Sequence, residues 1–158
     1  MNAPLHQRLS PLIVLLTGIG AALVLVQCAW ITYGVFVRYV LRRPDGMVTE
    51  ATALLLLPLA YAGLALALRE DAFPKVSLLI DRLPRRARAL VDRLNLLLMV
   101  LVGAFFALVA GVATWRSFQS GASSQVLEWP VYIFWAPVSV FIGVFALYGL
   151  LKLLHGSR

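Results

Sequence analysis

The 158-residue sequence has a single cysteine, Cys28, and only two histidines, His6 and His155, one near each end. One thiol cannot close a disulfide within the chain or form a Cys-x-x-Cys redox pair. Histidines at the ends cannot ligate a haem in the middle of a membrane. Charge is also scarce, at 13% of residues against about 25% in soluble domains. Apolar residues make up 61%. A disordered chain is excluded, since such chains are polar and charged. An ordinary soluble domain is excluded too, because a globule this small lacks the volume to hide so much apolar surface. The remaining solvent for these residues is lipid.

Four apolar stretches are long enough to cross a bilayer, which takes about 20 residues. They cover residues 12–37, 48–68, 94–115 and 130–151. Only Glu50 interrupts them, close to the start of the second. Backbone groups in hydrocarbon must find partners within their own segment, so all four are expected to be helices. The whole of 1–158 is read as one integral membrane domain. The first stretch runs far past the core of a secretory signal. Gln27 also stands where a lipoprotein cleavage site needs a small residue. The first span is therefore expected to be retained.

Basic residues are unequally shared between the two sides of this layout. One side holds ten: Arg8, Arg69, Lys75, Arg82, Arg85, Arg86, Arg88, Arg93, Lys152 and Arg158. The other holds four: Arg38, Arg42, Arg43 and Arg116. The positive-inside rule then puts both termini in the cytoplasm. Trp30, Trp115, Trp129 and Trp135 fall toward the opposite boundary, where aromatic rings favour the headgroup zone. The formal charge of +7 is thus a product of topology, and nucleic acid is not an expected partner.

The connection between spans two and three is patterned. Val76, Leu79, Ile80 and Leu83 fall on one helical face, with Lys75, Asp81 and Arg82 off it. Pro74 suits a first helical turn. An amphipathic helix over about 74–90, lying in the membrane interface, is expected. Arg82, Arg85, Arg86 and Arg88 would then meet anionic headgroups. The competing reading is the start of span three itself.

Within the spans no ionisable residue lies at a predicted centre, where proton and ion paths usually show themselves. No catalytic residue, cofactor or metal site is expected, and the chain does not read as an enzyme. Gln27 is the most polar mid-span residue, suited to an interhelical hydrogen bond. Gly103, Ala107 and Gly111 follow at four-residue spacing; Gly18 with Ala22 and Gly63 with Ala67 repeat the pattern. Small residues on one face let helices approach closely. Pro58 and Pro137 are expected to kink spans two and four. Arg38 and Glu50 flank a short connection containing Pro44, Asp45 and Gly46, at similar depth, and are candidates to pair.

The order of these features resembles the small membrane subunit of tripartite ATP-independent periplasmic (TRAP) transporters, the Q-type small permease. The likeness runs from about Leu12 to Leu154. It rests on Arg38-Tyr39 closing the first span, and on Glu50 near the start of the second. The family carries a Trp-x-Glu-Glu signature there, reduced here to Val48-Thr49-Glu50-Ala51. Tyr61-Ala62-Gly63 and Leu68-Arg69 follow, then Leu83-Pro84, then Trp129-Pro130 with Tyr132 and Pro137. Phe73 and Ser77 stand where the family often has His and Asp.

The resemblance implies a non-catalytic scaffold in a heteromeric symport system of the bacterial inner membrane. A large elevator-type membrane subunit would carry the substrate and coupling-ion sites. A periplasmic substrate-binding protein would deliver an organic-acid-type solute. Arg38, Tyr39, Glu50, Gly63, Gly103, Ala107, Gly111, Trp129 and Pro130 are the candidate structural and partner-facing residues. Membrane lipids are expected partners of the basic segment. Two other readings of the chain stand beside this one: a small homo-oligomeric channel or exporter, and a membrane-embedded redox protein.

Overall fold

The structure, a computed structural model, describes residues 9–43, 46–73 and 84–155, without the side chains of Arg85 and His155. The described residues form five helices and no strand: α1 (Ser10–Tyr39), α2 (Gly46–Ala62), α3 (Leu64–Arg69), α4 (Arg85–Ser120) and α5 (Tyr132–His155). Four segments are long and apolar enough to cross a membrane. α2 and α3 act as one of them, Gly46–Arg69, interrupted only at Gly63. The observed helices agree with the expected spans, apart from the third. It starts at Arg85, so Arg86 and Arg88 belong to its first turns. Residues 74–83 of the expected interfacial helix, Arg82 included, lie outside the described residues, as do Pro44 and Asp45.

The helices stand in a row. α1 packs on α2 and more lightly on α3, both of these pack on α5, and α5 packs most extensively on α4. α1 and α4 make no extensive contact with each other. The two edge helices are accordingly the barest. About 17% of the apolar stretch is buried in α1 and in α4, against 39% in α5. Leu25, Phe105 and Leu108 are more than 60% exposed, which only lipid or a protein partner tolerates at this density.

Each edge helix offers a narrow seam. On α1 the buried residues Ile13, Gly20 and Gln27 recur every seven positions, and Gly34 continues the series. A seven-residue repeat averages 3.5 residues per turn, the period that keeps a seam on a neighbour through a left-handed crossing. Gly20 meets Ala62, and Gly34 meets Val48, so closely that a Cβ at either position would clash. On α4 the seam runs through Leu96, Val100, Gly103, Ala107, Ala110 and Thr114, alternating steps of four and three. The central helix α5 buries Phe134, Val138, Phe141, Ile142, Phe145 and Tyr148, a wider stripe, because it has neighbours on two sides.

This seam corrects the expected packing face of α4. Gly103, Ala107 and Gly111 do not act together. A Cβ on Gly103 would come within 2.8 Å of the Phe145 ring, whereas Gly111 has nothing within 4 Å. Ala110, 3% exposed, takes the seam position instead. Repeated steps of four overshoot a turn by about 40° each, and a compensating step of three is needed to stay on the partner. Gly18 and Gly63 likewise have nothing within 4 Å.

Candidate functional site: polar ties between the spans

Polar contacts are few, so each is informative. Glu50 sits one turn into α2 and is only partly exposed. Its carboxylate reaches the connection between α4 and α5. Oε1 accepts the backbone N–H of Gln125 at 2.7 Å, and Oε2 accepts those of Val126 and Leu127, both at 2.8 Å. The Ser124 side chain is a further neighbour of the carboxylate. Three successive amides converging on one anion form a nest, an arrangement selective for negative charge.

The loop is built to present those amides. Gly121 ends α4 in the left-handed conformation, φ 62°, its N–H reaching back to Phe118 and Ser117 carbonyls. A short hairpin then closes. Ser124 N–H donates to Trp129 O at 2.8 Å, and Val131 N–H donates to Ala122 O at 3.0 Å. Trp129 N–H donates to Ser124 Oγ at 3.3 Å. Pro130 bridges to Ser123 and Trp129 stacks on Phe134, centroids 6.3 Å apart. The closed loop leaves the amides of its tip donating to Glu50 on α2.

Arg38 takes no part in this. Among the described residues no ion pair joins it to Glu50; its guanidinium lies over the neighbouring Tyr39 ring, 5.9 Å from the centroid. Both residues are exposed at the end of α1. The carboxylate found a better site than a snorkelling arginine, since three fixed dipoles satisfy both oxygens with no long side chain to immobilise.

A second tie lies at the other end of the array. Lys152, near the end of α5, donates to the Leu68 carbonyl at 3.1 Å and to Asp71 Oδ1 at 2.9 Å. Leu68 lies in the last turn of α3, where carbonyls lack helical partners and a cation is favoured. The span that contains Pro58 is thus held at both ends, by Glu50 and by Lys152. Around the second tie Ile13, Ala65, Leu68, Phe145 and Tyr148 form a buried cluster. Gly149 packs there as well, where a Cβ would stand 2.9 Å from Val100 and 3.3 Å from Leu68.

The third tie joins α1 to α2. Gln27, 5% exposed, donates from Nε2 to the Thr52 carbonyl at 3.1 Å. Its Oε1 and the nearby Trp30 Nε1 are buried without a hydrogen-bond partner. The interhelical role expected of Gln27 is therefore seen, at half its capacity.

Sequence reasoning singled out Glu50, Gln27, Gly103 and Trp129, but not the Gln125–Val126–Leu127 amides, Lys152 or the glycines at 20, 34 and 149. The heptad of 13, 20, 27 and 34 was available as a signal. The amide nest was not, because backbone N–H groups carry no residue signature. No group of three or more potential metal-ligating side chains exists among the described residues.

The fold and its ties define a four-span helical membrane protein whose polar residues hold helices together. The family described as "Tripartite ATP-independent periplasmic transporters, DctQ component" matches residues 27–158. The chain belongs to that family and is a TRAP transporter small membrane component. No curated protein matches it as a relative.

Proposed function

We propose that this chain is the stationary scaffold of a TRAP transporter in a bacterial inner membrane, with both termini cytoplasmic. It braces a large elevator-type membrane subunit that works with a periplasmic substrate-binding protein to import organic-acid-type solutes by symport. Family membership carries the assembly. The scaffold role is supported by one observation above all: the second span is tied near both of its ends, by Glu50 and by Lys152. A part that must stay still while its neighbour moves benefits from polar pins where lipid provides no lateral hydrophobic force. The single-layer row gives such a brace two broad apolar faces and two bare edges.

Affinity capture of the full-length chain from native membranes tests the reading. A stoichiometric, much larger multi-span protein is expected, and recovery of this chain by itself with transport activity in liposomes would refute it. For orientation, Ser120→Cys in a Cys28→Ser background should react with an impermeant maleimide from the periplasmic side of intact cells. Labelling only after cell rupture would reverse the topology.

A further inference from the structure

A cavity of about 670 Å³ opens at the Lys152 end of the row, between α4, α5 and the turn that follows α3. Its lining is divided along the helix axis. Arg86, Asp92 and Arg93 lie at the mouth, before the apolar run of α4 begins. Leu96, Met99 and Leu153 line it further in. At 1.5 Å per residue, Met99 lies about 9 Å deeper than Arg93. The cavity thus passes from headgroup depth to hydrocarbon depth.

The charges at the mouth do not cancel. Lys152 is taken up by Asp71 and the Leu68 carbonyl. Arg86 and Arg93, seven residues apart, share one face of α4 about 10 Å from each other along the axis. Neither has a hydrogen-bond or ion-pair partner among the described residues. With Asp92 counted against them, the mouth carries one net positive charge.

We infer that this cavity binds an anionic phospholipid of the phosphatidylglycerol class. Its single phosphodiester lies on Arg86 and Arg93, and the first carbons of its chains lie along Leu96, Met99 and Leu153. A soluble phosphate would use only the rim, whereas a lipid matches both halves of the lining. Basic pockets between helices at a membrane boundary favour such headgroups. The inference depends on the chain sitting in a bilayer and not on its assembly with a large subunit.

Native mass spectrometry of the delipidated full-length chain, titrated with phosphatidylglycerol or with phosphatidylcholine of the same acyl chains, is the test. One tightly held phosphatidylglycerol is expected, with phosphatidylcholine clearly weaker. Arg86→Gln with Arg93→Gln should weaken the first by about thirty-fold and leave the second unchanged. Arg86→Lys with Arg93→Lys should retain most binding, which separates loss of charge from loss of fold. Arg42→Gln with Arg43→Gln, at the opposite end, should change nothing. Equal binding of the two lipids would overturn the inference. So would full phosphatidylglycerol binding by the glutamine variant, or equally tight capture of free glycerol phosphate.

Discussion

The carboxylate of Glu50 accepts the backbone N–H of Val126 at 2.8 Å, across 76 residues of sequence. It is one of three such bonds between the second span and the connection that joins the third to the fourth. Its neighbours Gln125 and Leu127 donate to the same side chain, so one acid organises a whole loop tip.

Glu50→Gln is expected to release the loop although the two side chains are nearly the same size. An amide offers one acceptor, and its NH2 group would face N–H donors now 2.7–2.8 Å from a carboxylate oxygen. Hydrogen exchange at Gln125, Val126 and Leu127 should become faster in the variant, while exchange along α5 stays slow. Unchanged protection at these three amides would show that the hairpin holds its own shape.

Gly103 and Gly111 should respond oppositely to a larger side chain. Gly103→Val drives a Cβ into the Phe145 ring, and overpacking of this kind costs about 1–3 kcal/mol. At Gly111 an added Cβ meets nothing within 4 Å, so Gly111→Val should stay within about 0.5 kcal/mol in the isolated chain. Thermal unfolding in detergent reads both. If Gly111→Val is harmless to the isolated chain yet prevents capture of the large subunit, that face of α4 is the docking edge.

Lys152→Met should loosen the other end of the second span. The side chain is 18% exposed and its ammonium caps a terminal helix carbonyl. Charge-assisted hydrogen bonds of this kind contribute about 1.5–3 kcal/mol. The expected loss is of that size, read as a lower unfolding midpoint together with faster exchange over α3. A midpoint equal to the parent's would remove Lys152 from the bracing scheme.

Gln27→Leu is predicted to be close to neutral. Interhelical hydrogen bonds in membranes are worth about 0.6 kcal/mol on average. Here the gain is offset by the buried, unpartnered Oε1 that the substitution removes. A loss above about 2 kcal/mol would mean that this oxygen has a partner in the folded protein.

The number of spans, their order and the even number of crossings were legible in the sequence, because a bilayer imposes a length and an apolar composition on every crossing segment. So was the family, carried by the order of Arg38-Tyr39, Glu50, Gly63 and Trp129-Pro130. The helix ends were less legible: α4 runs from Arg85 to Ser120, where 94–115 was expected, and α5 continues to His155, past the expected 151.

Which side of each helix meets another was not legible. In lipid the residues facing a neighbour are no more apolar than those facing the bilayer, so hydropathy gives no direction. Gly103 and Gly111 look alike in sequence, and only the 3.5-residue seam separates them. Glu50 and Arg38 looked like partners because they lie close along the chain. Tertiary structure decided otherwise, bringing three distant backbone amides to the acid. The sequence determined that this protein lives in the membrane and crosses it four times. Only packing decided that the four spans stand in a row, with the second pinned at both ends, because contacts between distant segments carry no mark in the composition of either.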